Sequence, residues 1–347
     1  MSTNMTASQN HELRRLLELS AMIGSDPLLT QASTGNSSIK VNDMLWIKAS
    51  GKWMADAFRD EFLVPLDLAE VKACVRQHID PTELHTSASI ETAMHAVLPQ
   101  RVVLHVHCVN TIAWAVRQDA RNQLRHKLEG LRWQWIPYVA SGLALASAVE
   151  RALSVSPHTD LLVLGNHGLV IAGEDCRAVE DLLWEVGRRL AIPARPAHPA
   201  DYAVLADIAD RWSWDLPDDD NVHALGTDPV SRSILSGGLL YPCQAIFSNA
   251  SSAELFRSIP SAEPEGREEN LYRSRPFLIV QERGVIFSAA MTSAERSMIN
   301  GLAQVIQRIA LNVPVRYLSE AELSDIDRML AYRYRELANT SHRNGAR

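Results

Sequence analysis

The segment RVVLHVHCV, at residues 101–109, is the feature that most constrains the fold of this 347-residue chain. Its run of β-branched and apolar residues is typical of a strand buried inside a sheet. His105 and His107 interrupt the run two residues apart, and alternate residues of a strand project from the same face. The segment therefore predicts a buried strand that presents two imidazoles on one side, which suits chelation of one metal ion. The alternative is a pair of polar residues on an exposed strand face.

Helical and strand-like segments alternate around this strand, which predicts an α/β fold. A β-hairpin is expected within QASTGNSSIKVNDMLWIKASG, residues 31–51, because turn residues bound its apolar runs. DLLVLGNHGLVIAG, residues 160–173, indicates two short strands joined by an Asn-His-Gly turn. The predicted helices cover residues 11–24, 66–78, 87–98, 111–128, 141–153 and 174–191.

The composition changes between Pro193 and Pro229, where a proline-rich stretch precedes an acidic one. Such a change indicates a domain boundary, so we expect one domain over residues 1–200 and a smaller C-terminal α+β region over residues 215–347. In that region the sequence predicts a strand at PCQAIFS (242–248), a hairpin turning at 282–284, a helix over 293–311, and a helix that begins with a Ser319-x-x-Glu322 capping box and runs to about 338.

Charge and composition exclude several classes of function. The chain has 34 Lys and Arg against 41 Asp and Glu, a net charge of −7, and no basic stripe, so nucleic acid is not an expected partner. It shows no signal peptide and no 18-residue apolar run, so we expect no membrane span. Four scattered cysteines without a C-x-x-C pair favour a cytoplasmic location. A nucleotide site has no support, since G-x-G-x-x-G and Walker A motifs are absent.

A third histidine, His167, stands in the Asn-His-Gly turn between Gly165 and Gly168. Glycines let the backbone bend so that a side chain can stand clear into a cleft. Three neutral imidazoles with an open fourth position are typical of a catalytic zinc site. We therefore expect His105 and His107 to share one metal ion with His167.

Glu91 lies in SASIETAMHAVL, where Ser87 or Ser89 is a candidate N-cap and His95 follows one helical turn later. Glutamate in a first helical turn is commonly just a favourable charge against the helix dipole. Near a metal site, however, a carboxylate can ligate the ion or move a proton. Both interpretations of Glu91 stay open at this point.

Two turns offer small hydroxyls and backbone amides that suit a phosphate group. They are the turn at residues 33–38 and the Ser50-Gly51 turn, with Lys48 and Lys52 close by. Backbone nests of this kind bind phosphate without a basic residue. Serine-glycine turns are common in loops, so each turn alone is also compatible with a purely structural role.

Five motifs occur in a fixed order along the chain: TGNSSIK, KASG, SASIETAMHAVLP, VVLHVH and VLGNHGLVIAG. In this order they resemble the class II aldolase/adducin family, over roughly residues 10–195. SIETAMHAVLP and WIPY look closest to the aldolase part of the bifunctional rhamnulose-phosphate aldolase/dehydrogenases. The resemblance implies a three-layer α/β/α domain around a mostly antiparallel sheet, assembled as a homo-oligomer, either a tetramer or a dimer.

The resemblance also implies roles for individual residues. Zinc, or another divalent ion such as Mn²⁺, Co²⁺ or Fe²⁺, would be held by His105, His107 and His167, and Glu91 would be the general acid/base. The substrate phosphate would be cradled at Gly35, Asn36, Ser50, Gly51 and Ser89.

The implied activity is that of a lyase, an aldolase that cleaves or forms a C–C bond in a ketose phosphate or related sugar through a metal-stabilised enediolate. Related proteins with the same site act as epimerases, dehydratases or decarboxylases on sugar phosphates or sugar-acid phosphates. Adducins keep the fold as non-catalytic assembly modules without the metal site. The three histidines and the glutamate favour the enzyme.

The sequence departs from the family pattern in two places. Some sugar-phosphate aldolases of the family have a tyrosine acid about twenty residues after the H-x-H pair, whereas this chain has His126 there and no tyrosine before Tyr138. The acid that would protonate the aldehyde oxygen is therefore unassigned. The C-terminal region, about residues 215–347, is not covered by this resemblance and could be a partner domain, a lid or an oligomerisation element.

Overall fold

A seven-stranded sheet organises the first half of the molecule. The computed structural model describes residues 7–59, 61–248, 253–256, 258–259 and 272–328. The strands are β1 (Asn36–Val41), β2 (Met44–Lys48), β3 (Leu63–Asp67), β4 (Val102–Val106), β5 (Trp133–Ile136), β6 (Leu161–Leu164) and β7 (Gly168–Gly173). Their order is β3-β2-β1-β4-β7-β6-β5, and every neighbouring pair is antiparallel except β5 and β6. The prediction of a mostly antiparallel sheet is confirmed.

Helices cover both faces of this sheet. They are α1 (Ala7–Gly24), α2 (Leu68–Arg76), α3 (Pro81–Leu84), α4 (Thr92–Val97), α5 (Val109–Ala115), α6 (Ala120–Lys127), α7 (Leu143–Val155) and α8 (Cys176–Leu190), with a 3-10 turn at Met54–Asp56. On one face, Leu104 of β4 packs in a core with residues of α1 and α8. On the other face, its neighbour Val103 packs in a core with residues of α4 and α7. Strand alternation thus produces the predicted three layers, and it sends His105 to the α4 and α7 side.

The C-terminal elements form a second group around a short hairpin. They are α9 (Tyr202–Trp212), a 3-10 turn (Asp220–His223), α10 (Ala224–Thr227), α11 (Pro229–Ser236), α12 (Pro242–Ser248), a 3-10 turn (Ala253–Phe256), β8 (Phe277–Val280), β9 (Gly284–Phe287), α13 (Ser293–Ile306) and α14 (Glu320–Arg328). Val109 and Ile112 of α5 share one apolar core with Leu302 and Ile306 of α13. The group therefore packs directly against α5, one of the helices that cover the seven-stranded sheet.

The predicted strand at residues 242–248 is wrong, because these residues form helix α12. An apolar run of seven residues does not distinguish a strand from a buried helix. Pro242 is well placed as the first helical residue, where its missing N–H costs nothing. The side chain of Gln244 accepts a hydrogen bond from the backbone N–H of Leu240 and so closes the turn before the helix.

Other differences concern where helices begin and end. The predicted helix over 111–128 is two helices, α5 and α6, and the helix predicted over 87–98 begins only at Thr92. Helix α13 ends at Ile306 rather than 311, and the stretch between Pro193 and Pro229 holds α9 and α10. The hairpin at β8 and β9 is confirmed, as is the capping box, in which Ser319 and Glu322 exchange hydrogen bonds. The predicted end of that helix, near 338, lies outside the described residues.

The described residues contain no helix that is both long and apolar enough to span a membrane.

Candidate metal centre

Three histidine side chains converge where β4 meets the β6–β7 turn. His105 is on β4, His107 follows the strand, and His167 lies in the turn, as predicted. Register brings them together, since His105 pairs with Val170 of β7. Gly168 permits the close approach, because a Cβ atom there would lie 2.5 Å from the carbonyl oxygen of Val106.

The geometry of the three rings suits one metal ion. Their centroids are 4.8, 4.9 and 5.0 Å apart, all three residues are buried, and their candidate ligand atoms lie within 4.8 Å of one another. The Nδ1 atom of His105 donates a hydrogen bond to the carbonyl oxygen of Leu169, 3.0 Å away. In a neutral ring with this donor, Nε2 carries the lone pair, and the Nε2 atom lies 2.9 Å from the Nε2 atom of His107.

Burial keeps two of these imidazoles, those of His107 and His167, neutral, which is the form that binds a metal. Burial lowers the pKa of His107 well below its ordinary value of 6.5. Burial also lowers the pKa of His167, to about 4, although Glu91 opposes the shift. At these two side chains a cation would not have to displace a bound proton.

Glu91 lies beside the histidines. One carboxylate oxygen is 3.3 Å from His105 Nε2, and the other is 3.4 Å from His167 Nε2. Burial alone would raise the pKa of Glu91, but the neighbouring histidines and a hydrogen bond from Asn36 outweigh it and lower that pKa to about 2. The side chain is therefore a buried carboxylate.

The backbone around Glu91 differs from the prediction. Glu91 is itself the N-cap residue of α4, and neither Ser87 nor Ser89 occupies that position. The hydroxyl of Ser89 instead accepts a hydrogen bond from the backbone N–H of Glu91 at 3.3 Å. Ser141, at the residue before the N-cap of α7, donates to the second carboxylate oxygen at 3.3 Å.

A cavity of about 120 Å³ opens at this site. All five residues predicted to bind a phosphate line it, together with Glu91, His107 and His167; the five are Gly35, Asn36, Ser50, Gly51 and Ser89. His105 lies deeper, with no exposed surface. The structure therefore brings the predicted site residues into one place.

Two of these residues have features that bear on ligand binding. The backbone N–H of Ser50 donates a hydrogen bond to the carbonyl oxygen of Ser87. This amide is therefore not available to a phosphate, although the sequence suggested that it would be. The hydroxyl oxygen of Ser50 is buried and has no hydrogen-bond partner among the described residues. Gly35 has a φ of +71°, and a Cβ atom there would lie 2.8 Å from the carbonyl oxygen of His105. The absence of a side chain at Gly35 thus lets its backbone lie directly against β4, the strand that carries His105.

Lys48 places a buried amino group at the cavity. Its amino group donates to the carbonyl oxygens of Ser33, Ala49 and Lys52, at 3.1, 3.4 and 2.6 Å. Burial lowers the pKa of Lys48 to about 7, against the opposing charge of Glu91. The sequence indicated only that Lys48 lies near the Ser-Gly turn.

The far wall of the cavity was not predicted at all. It comes from α12 and α14 and consists of Pro242, Cys243, Ile246, Phe247 and Ile326. The sulfur of Cys243 lies 3.3 Å from Nδ1 of His107, which connects this wall to the histidine cluster.

Asn166, the residue before His167, fastens the C-terminal group to the site. Its side-chain amide donates to the carbonyl oxygens of Leu240 and Arg316, both at 2.8 Å. Its oxygen accepts from the guanidinium of Arg316 at 2.9 Å. The asparagine of the Asn-His-Gly turn is thus a contact to the C-terminal group.

Tyr138 and His126 lie in different places. His126 is exposed on α6, whereas Tyr138 lines the cavity. Burial raises the pKa of Tyr138, so its hydroxyl keeps its proton. The sequence did not single out Tyr138, because the family pattern predicts the tyrosine acid about twenty residues after the H-x-H pair, and Tyr138 lies further along the chain.

Comparison with solved structures gives matches that cover about half of this chain. The N-terminal class II aldolase domain of a conserved protein from Thermoplasma acidophilum is 22% identical, with a TM-score of 0.47, and covers 55% of this chain and 97% of that one. L-fuculose-1-phosphate aldolase from Thermus thermophilus is 18% identical, with a TM-score of 0.38, and the match covers 51% of this chain and 91% of the aldolase. YgbL from Klebsiella pneumoniae, a putative aldolase/epimerase/decarboxylase, is 18% identical, with a TM-score of 0.36, and the match covers 52% of this chain and 87% of YgbL.

Among curated proteins, the chain is similar to the uncharacterized oxidoreductase YuxG of Bacillus subtilis (strain 168). The two are 28% identical over 184 residues, which cover 47% of this chain and 26% of YuxG. The chain thus matches about a quarter of the length of this relative.

The sequence model of the Class II Aldolase and Adducin N-terminal domain matches residues 14–192. This range is just over half of the chain and contains the three histidines, Glu91 and the whole seven-stranded sheet. The chain belongs to the class II aldolase and adducin family.

Proposed function

We propose that this protein is a metal-dependent lyase of the aldolase type, which cleaves or forms a C–C bond in a ketose phosphate or a related sugar. The observation that carries the proposal is the meeting of two imidazole nitrogens, His105 Nε2 and His107 Nε2, 2.9 Å apart beside a buried carboxylate. Lone pairs at this distance repel each other unless a proton or a cation lies between them. The charge of Glu91 would also partly balance a divalent cation.

The residues that would hold the ion are His105, His107 and His167. Imidazole ligands suit zinc, and Mn²⁺, Co²⁺ or Fe²⁺ are the alternatives. When bound, such an ion supplies a Lewis acid that stabilises the negative charge developing on the substrate as the C–C bond breaks.

Two side chains of the cavity suit the movement of protons. Glu91 is ionised and lies in the cavity, so it can take a proton from a substrate carbon or hydroxyl and return it. Tyr138 keeps its proton because burial raises its pKa, and it lines the same cavity. We therefore propose Tyr138 as the acid for the aldehyde oxygen, the role that the sequence left unassigned.

The other polar groups of the cavity suit an anionic substrate. Lys48 brings a buried amino group that has carbonyl partners, and the hydroxyl of Ser50 is a buried donor without a partner among the described residues. A buried polar group without a partner is costly, and a ligand oxygen would satisfy it. A phosphate held near Lys48 and Ser50 fits the proposed ketose phosphate.

Exchange of substrate protons tests the proposal. Protein loaded with one divalent ion is mixed with dihydroxyacetone phosphate in D₂O, and loss of the carbon-bound proton signal is followed by NMR. We expect exchange that depends on the metal and on Glu91. Absence of exchange by metal-loaded protein, together with no conversion of any ketose phosphate, would contradict the proposal.

Product analysis separates the proposed lyase from its alternatives. An aldolase yields two carbon fragments from a ketose phosphate, an epimerase yields an isomer of equal mass, a dehydratase releases water and a decarboxylase releases CO₂. A non-catalytic assembly module of the adducin kind would yield none of these. We expect two fragments.

A further inference from the structure

A line of buried polar side chains lies behind Glu91, and the proposed chemistry leaves part of it without a role. It consists of Ser38 and Asn36 on β1 and His95 on α4, which we call the relay. Asn36 and Ser38 are two residues apart on one strand, so both point to the α4 side of the sheet. His95 and Ser38 have no exposed surface, and neither is among the described residues that line the cavity.

The relay is continuous, with short hydrogen bonds at each step. Ser38 Oγ is 2.7 Å from His95 Nδ1, and His95 Nε2 is 2.5 Å from Asn36 Oδ1. Asn36 Nδ2 then donates to a carboxylate oxygen of Glu91 at 2.7 Å and to the hydroxyl of Ser89 at 3.1 Å. The same Glu91 oxygen lies 3.3 Å from His105 Nε2.

The orientation of the Asn36 amide fixes the direction of every step. Its nitrogen, which can only donate hydrogen bonds, faces Glu91 and Ser89, so its oxygen faces His95 and accepts. His95 must then donate from Nε2. A neutral imidazole has one N–H, so its Nδ1 accepts from the hydroxyl of Ser38. Burial lowers the pKa of His95 to about 3, which agrees with a neutral ring.

The hydrogen bond from His95 Nε2 to Asn36 Oδ1 holds the orientation of the Asn36 amide, and this bond would be lost without a donor at residue 95. Rotated by half a turn, the amide would place its oxygen against the Glu91 carboxylate, and two acceptors at 2.7 Å repel. In the observed orientation, both N–H groups of Asn36 are used within the protein. The side chain of Asn36 is therefore engaged with Glu91 and Ser89 rather than free for the substrate.

We infer that His95 is a positioning residue for Glu91, which acts by holding the Asn36 amide in the orientation that donates to the carboxylate. This inference rests on the proposed function, because it assigns Glu91 as the group that moves the proton. It changes the role suggested for Asn36, from cradling a phosphate to orienting the carboxylate.

A matched pair of variants tests whether the donor at Nε2 matters. His95→Gln keeps an N–H donor near the position of Nε2, and His95→Leu has similar volume without a donor. In His95→Leu, Asn36 would lose its fixed orientation and Glu91 the hydrogen bond that Asn36 donates. A hydrogen bond to a charged group corresponds to about 10- to 100-fold in rate, so we expect the metal-dependent proton exchange to slow by that factor. His95→Gln should stay within about 3-fold of the wild type, with KM and metal content unchanged in both.

A double-mutant cycle distinguishes positioning from general loss of structure. If His95 acts through Glu91, His95→Leu should have little further effect in a Glu91→Gln background, because coupled residues are not additive. His126→Leu, on the exposed face of α6, controls for the loss of a histidine and should have no effect. Equal impairment of His95→Gln and His95→Leu, or full additivity with Glu91→Gln, would overturn the inference.

A measurement on the wild-type protein needs neither a variant nor a substrate. In protein with ¹⁵N-labelled histidine, the inference requires that the His95 proton be on Nε2 and that Nδ1 be unprotonated. A proton on Nδ1 would overturn it even if the His95 variants fail to fold. Metal-loaded protein with the Nε2 proton in place but without proton exchange would instead count against the proposed function.

Discussion

The cavity has two walls that differ in origin and in chemistry. The wall that carries the histidines, Glu91 and Lys48 belongs to the part of the chain that matches the family, residues 14–192. The opposite wall, from α12 and α14, is largely apolar and lies beyond that match. The first wall can bind an ion and move protons, whereas the second can mainly exclude water and limit the shape of a substrate. We infer that the proposed metal and proton chemistry and the binding of an anion are encoded in the part of the chain that matches the family, whereas the C-terminal wall limits the shape of the substrate.

The largest effect is expected from Glu91→Gln, on the first wall. A general acid/base commonly contributes about 10²- to 10⁴-fold, so turnover should fall by that factor while most of the metal stays bound. Metal content and proton exchange are measured on the same sample. Full activity of this variant would remove Glu91 from the proposed mechanism and would leave the first wall with metal binding alone.

Lys48→Met should weaken the binding of a phosphorylated ligand by about 10- to 100-fold, because it removes a positive charge at the cavity, although the N–H groups of Lys48 already donate to backbone carbonyls. Because burial lowers the pKa of Lys48 to about 7, much of this lysine is neutral at about pH 8 in the free protein. A bound anion would raise that pKa, so binding at this pH should take up a proton.

Calorimetry in buffers of different ionisation enthalpy measures this proton uptake. The uptake should disappear in Lys48→Met. Tight binding by Lys48→Met, with the same proton uptake as in the wild type, would show that the anion binds elsewhere.

Ile246→Ala, on the second wall, should raise KM by about 3- to 10-fold, because a smaller side chain removes apolar contact with the substrate. Turnover at saturation and metal content should change little. Leu311→Ala, at an exposed position, is the matched control and should resemble the wild type. A loss of metal in Ile246→Ala would contradict the separation of the two walls.

The smallest effect is expected from Ser50→Ala. Its hydroxyl has no partner among the described residues, so its removal should not lower the free energy of unfolding. Affinity for a phosphorylated ligand should fall by about 2- to 10-fold, the range for one neutral hydrogen bond. Denaturant unfolding and ligand titration give the two values. A destabilised protein with unchanged affinity would assign Ser50 to the fold instead.

The sequence predicted the first wall well because its chemistry demands particular residue types at particular spacings. Two histidines on alternate strand positions and a third between glycines can be recognised without a structure. The second wall needs only apolar bulk, and nothing in PCQAIFS separates a cavity wall from a buried strand. Long-range contacts were also beyond reach: Asn36 meets His95 and Glu91 from more than fifty positions away, and only the sheet register shows it.

Metal analysis tests the central claim most directly. Elemental analysis is carried out on protein purified without chelator, for the wild type, His107→Ala and the exposed-site control His126→Ala. The account predicts about one equivalent of divalent metal per chain in the wild type and the control, and a small fraction of that in His107→Ala. Well under one equivalent in the wild type, unchanged by His107→Ala, would contradict it.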